Sequence, residues 1–112
     1  LCMTDGISLS GHPGTPEGLD AHTTFLPKDK KVLWSAMNYK GNLLLLTEKV
    51  IKSGGHISIG LGDYPYTELG QPTNADIIAE VVKQARALGR EVATVDDTRA
   101  MLGMTEGAAA AA

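Results

Sequence analysis

The chain has 112 residues, a formal net charge of −3, and side chains that are 43% hydrophobic but only 4% aromatic, which allows at most one small domain. The aromatics are not interleaved with Lys or Arg, and the lysines at 28–31 around Asp29 read as a solvated loop, so no nucleic-acid partner is expected. The single Cys2 excludes an internal disulfide framework or a thiolate metal cluster and fits a cytoplasmic chain. The longest strongly apolar run, Leu43 to Leu46, is too short for a bilayer, and residues 1–10 lack the basic head and apolar stretch of a secretory signal. Because the chain opens on Leu1 and reaches a strand pattern almost at once, we expect a piece of a longer protein.

Alternation predicts a first strand over 6–10, followed by the turn Gly11-His12-Pro13-Gly14-Thr15-Pro16 and a weak helix from Glu17 to about Phe25. Thr15 is its expected cap, with Pro16 at the first helical position, where a missing N–H costs nothing. A second strand is expected over 32–39. Gly41-Asn42 then lead into a helix over 43–52, stopped by Ser53-Gly54-Gly55. The third strand is expected over 56–61, with a loop over 62–73. In the next helix Ile77, Ile78, Val81, Val82, Ala85 and Leu88 recur at helical spacing, Thr73 and Asp76 form a capping box, and Gly89 is the stop. Thr94 with Asp97 opens a last short helix closed by Gly103. Residues 1–104 read as one structural unit, and 105–112 as a low-complexity tail.

Strand–helix alternation repeated in this way argues for an α/β fold with a parallel sheet and covering helices. Three such units are too few to close a barrel. The expected architecture is therefore the C-terminal three βα units of a (β/α)8 (TIM) barrel. A complete flavodoxin-like or Rossmann-like mini-domain is the alternative, weakened by the absence of G-x-G-x-x-G and of G-x-x-x-x-G-K-[ST].

Parallel barrels carry their chemistry at the C-terminal ends of strands, which here means Ser10 to His12, Met37 to Lys40, and Gly60 to Tyr66. On the third strand alternation sends Ile57, Ile59 and Leu61 to one face, and His56, Ser58, Gly60 and Gly62 to the other. The second face is small and polar, leaving room for a ligand. Asp63 ends this strand, where a carboxylate serves as general base, binds a cation, or caps the loop before Tyr64-Pro65-Tyr66. His12 lies in a Gly/Pro loop at the correct end, and either meets a substrate or shapes a turn. Asn38 and Lys40 end the second strand before a helix start that could receive an anion, with Asn42 as the simple cap. His56 begins its strand and reads as structural, and Gly54-Gly55 read as a helix terminator. The three histidines show no H-x-H or H-x-x-x-H spacing, so no self-contained metal site is expected.

The run Ser53-Gly54-Gly55-His56-Ile57-Ser58-Ile59-Gly60-Leu61-Gly62-Asp63 resembles the end of the β-keto acid cleavage enzymes, the group that includes the 3-keto-5-aminohexanoate cleavage enzyme. So do Thr73-Asn74-Ala75, Ala87-Leu88-Gly89-Arg90-Glu91-Val92-Ala93-Thr94 and Arg99-Ala100-Met101-Leu102-Gly103, with Pro13-Gly14-Thr15-Pro16-Glu17, Leu26-Pro27 and Trp34-Ser35 upstream. The resemblance implies a cytoplasmic, homo-oligomeric, zinc-dependent (β/α)8 acyltransferase of amino-acid catabolism. Such an enzyme converts a β-keto acid plus acetyl-CoA to acetoacetate plus an acyl-CoA. It implies that Asp63 is the catalytic base or its partner, and it bears on Ser58 and Gly62; with Asn38 and His12, chosen for their strand-end positions, these are the candidate substrate-binding residues. Family members commonly carry Arg where Ser58 stands and a zinc-ligating Glu where Gly62 stands. Their H-x-H ligands lie on an early strand that this chain lacks, so no metal ligand is expected here. Without a competent metal site the same chain would be a non-catalytic fragment, or a barrel relative that binds an anionic metabolite.

Overall fold

The computed structural model describes residues 1–5 and 11–104. In chain order these form β1 (Cys2–Thr4), α1 (Pro16–Thr24), β2 (Ser35–Tyr39), a 3-10 turn (Leu43–Leu45), α2 (Thr47–Lys52), β3 (His56–Ile57), a second 3-10 turn (Thr67–Leu69), α3 (Asn74–Ala87) and α4 (Val95–Met101). The strands lie side by side in the order β1-β2-β3, all parallel. Met3 pairs with Asn38 and Ala36 with Ile57. The result is a small α/β structure whose strands are joined through helices, as the alternation of patterns predicts.

The expected strand at 6–10 lies outside the described residues, and so does the expected tail at 105–112. The strand observed next to β2 is Cys2–Thr4, which no local pattern marks. It exists because its backbone finds Ser35–Tyr39 more than thirty residues away. Regular pairing of β2 starts at Ser35 rather than at residue 32. The β3 ladder is likewise shorter than 56–61, although the Ser58 N–H still donates to the Ala36 carbonyl at 2.9 Å. Past Gly60 the chain turns back, with the Asp63 N–H on the Gly60 carbonyl at 3.2 Å.

The helix expected over 43–52 divides. Asn42 accepts the Leu44 N–H at 2.9 Å and opens a 3-10 turn, and α-geometry begins only at Thr47. A 3-10 turn eclipses residues three apart. Leu43 and Leu46 therefore both enter the core while Leu45 is left 81% exposed. The other helices begin as predicted. Thr15 accepts the Gly18 N–H at 3.1 Å with Pro16 following. Reciprocal capping boxes open α3 (Thr73, Asp76) and α4 (Thr94, Asp97).

Met3, Leu19, Ala36, Leu43, Leu46 and Val50 form the core between the sheet and α1 and α2, with Trp34, Ile57 and Ile59 packed against it. Gly54 ends α2 in the left-handed region, and at Gly55 a Cβ would lie 2.4 Å from the Trp34 ring, so the pair does act as a terminator that also admits an aromatic. The opposite face of the sheet carries Cys2, Ser35 and Ser58, all exposed. Toward the end of the chain burial thins. α3 fully buries only Ile77, α4 buries nothing, and Val92, Val95 and Leu102 stand in solvent. Among the described residues no helix is long and apolar enough to cross a membrane.

Candidate functional site

The C-terminal ends of all three strands converge, as a parallel sheet requires. β1 ends at Thr4, β2 at Tyr39 and β3 at Ile57, and the chain after β3 passes Gly60 into a turn that contains Asp63. Strand alternation sorts their side chains. Ala36 and Asn38 share the face packed on the helices, while Ser35, Met37 and Tyr39 take the other. Continuing the β2–β3 register puts Ser58 beside Met37 and Gly60 beside Tyr39 on that open face.

Asp63 is half-buried in the turn that follows Gly60. Its carbonyl accepts the Lys40 N–H at 2.8 Å, locking the ends of β2 and β3 together. Its carboxylate makes no hydrogen bond or ion pair with the described residues. A capping aspartate would accept a backbone N–H, and this one accepts none. Around it the chain leaves space. A Cβ at Gly62 would meet nothing within 4 Å, and one at Gly60 would meet only the Asn74 Oδ1 at 3.5 Å. That Asn74 oxygen accepts the Leu61 N–H at 2.9 Å, fastening the start of α3 to the end of β3. The Thr73–Asp76 box already caps α3, so Asn74 is a polar residue the helix itself does not need. This surplus was its signal in the sequence.

Beyond Asp63 the loop holds a buried phenol. Tyr66 is 1% exposed and has φ 49°, a left-handed backbone rare for a bulky side chain. Its hydroxyl has no hydrogen-bond partner among the described residues, and its ring meets Tyr64 edge-on at 5.0 Å. Burial pushes the Tyr66 phenol up, and the Leu43 N–H, out of hydrogen-bond geometry, partly opposes this. The Asp63, Glu68 and Tyr64 charges add to the rise. Glu68 accepts from Tyr64 at 2.8 Å and from Asn42 at 3.2 Å, tying this loop to the start of the Leu43–Leu45 turn. Its carboxyl is held low first by its own backbone N–H and then by Tyr64.

Asn38, 1% exposed, turns toward the helix layer. It donates to Asp5 Oδ2 at 3.0 Å, and Asp5 Oδ1 accepts the Gly14 N–H at 2.8 Å. The amide is wedged between two glycines. A Cβ at Gly14 would fall 2.0 Å from its nitrogen, and one at Gly41 would fall 1.8 Å from Asp5 Oδ2. This clasp joins the end of β1, the loop before α1 and the end of β2. Asp5 was not among the residues singled out from the sequence, where it carries no motif. The remaining Asn38 oxygen is buried without a partner among the described residues.

His12 gives its carbonyl to the Thr4 N–H at 3.0 Å and sets its ring edge-on to His22 of α1 at 5.1 Å. No hydrogen bond or ring contact joins it to Asp63, Ser58 or Asn38. Burial first, and then the neighbouring His12, lower the His22 pKa. Among the described residues no three His, Cys, Asp or Glu side chains gather as metal ligands would. Zinc therefore does not fit this segment by itself. A groove of about 600 Å³ between α2, β3 and α3 is lined by Ile51, His56 and Val81, at the opposite end of β3 from Asp63. It is set apart from the strand-end chemistry.

Comparison with known proteins places this geometry in a family. The profile described as beta-keto acid cleavage enzyme matches residues 1–104. The chain belongs to the beta-keto acid cleavage enzyme family. A 3-keto-5-aminohexanoate cleavage enzyme from Acetoanaerobium sticklandii is 32% identical over 98 residues, covering 86% of this chain and 35% of that protein. One from Fusobacterium nucleatum is 30% identical over 73 residues, covering 63% of this chain and 27% of that protein. The chain thus spans about a third of the length of the curated relatives it matches, and the β-keto acid cleavage family is the frame in which Asp63 is to be understood.

Proposed function

We propose that this chain closes a (β/α)8 barrel of the β-keto acid cleavage family. In this reading the whole protein is a cytoplasmic homo-oligomer that converts a β-keto acid and acetyl-CoA to acetoacetate and a new acyl-CoA. The observation that supports the reading best is the Asp63 carboxylate, uncommitted among the described residues in the turn after β3 and preceded by Gly60 and Gly62, which leave space. The carbon between a keto group and a carboxylate is acidic, and a fixed carboxylate beside it serves as general base. Asp63 takes that proton, and the resulting enolate carries the acyl transfer.

The zinc ion that the resemblance implies would supply Lewis-acid polarisation of the keto oxygen. In this proposal its ligands come from strands outside the chain, since Gly62 has no side chain to offer. Ser58 lies on the open face beside Met37, where a hydroxyl reaches substrate without adding charge. The part of Asn38 is indirect, through the strand ends it ties, and His12 shapes the loop beside α1.

Asp63→Asn in the full-length enzyme keeps the shape and removes the proton acceptor. Loss of a general base costs about 10²–10⁴-fold in rate, so kcat on a panel of β-keto acids should fall by that factor with an unchanged melting temperature and metal content. A variant that melts earlier yet turns over normally would sink the assignment.

A further inference from the structure

We propose that the Lys40 ammonium is the counter-ion for the carboxylate of the substrate. This rests on the reading of the chain as part of a β-keto acid enzyme. Lys40 directly follows β2 at the end where Asp63 stands, and its N–H is bonded to the Asp63 carbonyl at 2.8 Å. Its backbone is left-handed, φ 62°, an uncommon conformation for a residue other than glycine. The side chain lies over the ring of Tyr39, Nζ 5.5 Å from the centroid, and Tyr39 belongs to the open face of the sheet. Lys49, Lys52 and Lys83 each have a carboxylate partner, whereas Lys40, like Lys28, Lys30 and Lys31 of the loop before β2, has none among the described residues. An ammonium resting on a ring face keeps its N–H donors free for an anion.

The chemistry of the substrate selects the anion. In a β-keto acid the carbon that loses its proton is bonded directly to the carboxylate carbon. Whatever holds the carboxylate must therefore sit beside the base, and the Lys40 backbone is hydrogen-bonded to that of Asp63. The space beside them is unfilled, because Gly60 and Gly62 present no side chains. A phosphate of CoA is the other anion a lysine could meet, but it lies far along the cofactor from the reacting carbon. The small carboxylate fits a cation carried by the residue whose backbone is bonded to that of the base.

The test measures binding on the full-length protein by calorimetry, with acetoacetate and its uncharged methyl ester as probes. Asparagine tolerates the left-handed backbone, so Lys40→Asn removes the charge without adding strain, and Lys40→Arg restores it. Wild type should bind acetoacetate more tightly than the ester. Lys40→Asn should weaken acetoacetate about tenfold or more and leave the ester unchanged, as loss of a charge-assisted hydrogen bond predicts, and Lys40→Arg should recover most of the difference. Equal binding of both probes by wild type would overturn the proposal. So would a Lys40→Asn protein that keeps the preference, or one that loses affinity for CoA but not for acetoacetate. Turnover on keto acids is measured separately. Charge-selective binding that depends on Lys40 in a protein with no turnover would refute the catalytic reading and leave the anion site standing.

Discussion

Removing Asp5 should cost far more than its exposed position suggests. Asp5→Ala deletes the acceptor of two hydrogen bonds, from the Gly14 N–H at 2.8 Å and from Asn38 Nδ2 at 3.0 Å. The first is near solvent, where water replaces it at little cost. The second ends on an amide that is 1% exposed and whose oxygen already lacks a partner. Stranding a buried donor costs about 1–3 kcal/mol, and a bond to a charged acceptor is itself worth about 1.5–3 kcal/mol. These overlap, and a total of roughly 2–4 kcal/mol is expected. The same asymmetry predicts that removing both partners is cheaper. Asp5→Ala with Asn38→Leu, which fills the wedge between Gly14 and Gly41 with apolar atoms, should recover about 1 kcal/mol or more of the single-variant loss. Chemical denaturation of the full-length protein gives the free energies, and hydrogen exchange at the Gly14 amide reports the clasp directly. An Asp5→Ala loss below about 0.5 kcal/mol, within the range of ordinary surface substitutions, would refute the reasoning. A double variant whose loss equals the sum of the two singles would refute it equally.

Gly55→Ala drives a methyl into the Trp34 ring, 2.4 Å from where its Cβ would stand, and overpacking of this kind costs about 1–3 kcal/mol. Trp34 is the sole tryptophan, so a shift in its emission that accompanies an earlier melt checks this, and an unshifted spectrum at full stability counts against it. Expressed alone, the 112-residue chain should be marginal or aggregate, because the open face of the sheet and the exposed Val92, Val95 and Leu102 lack cover; a cooperative thermal transition of a dilute monomer would contradict that. The Asp76 carboxyl is held below its ordinary 3.8 first by the Thr73 N–H and then by the Thr73 hydroxyl, so its support of α3 is complete above the ordinary value and is lost as pH falls through the lowered one. Carboxyl titration by NMR should show that depression, smaller but still present in Thr73→Ala, which keeps the backbone donor.

What was legible in the sequence is what short-range chemistry decides. Thr15 with Pro16, Thr73 with Asp76 and Thr94 with Asp97 open their helices as their spacing predicts, because a cap is settled within four residues. The apolar alternation of Ile57, Ile59 and Leu61 predicted one helix-facing side of the third strand; Ile57 and Ile59 do pack against the core, but Leu61, in the turn past Gly60, is exposed. β1 escaped because Cys2-Met3-Thr4 has no strand pattern of its own and is held by pairing with β2. The leucines at 43–46 suit a helix of either pitch. What selects the 3-10 turn is the buried position of both Leu43 and Leu46, a tertiary fact that no count of leucines contains.

The site divides along the same line. Asp63 could be singled out because a carboxylate just past a glycine-spaced strand pattern stands out in one dimension. The pair Lys40-Gly41 could not be read, and the natural reading is the reverse of what is observed. A lysine before a glycine at a strand end suggests that the glycine takes the left-handed turn. Here Lys40 takes it, at φ 62°, and Gly41 does not. Gly41 is needed for a different property, its missing Cβ, since any side chain there would collide with Asp5 and Asn38. A single glycine is spent on the close approach, and the turn falls to its neighbour. The clasp that closes the strand ends on the helix side is thus the physical reason why the backbone bends at Lys40. The same bend carries its ammonium onto Tyr39, on the open face of the sheet.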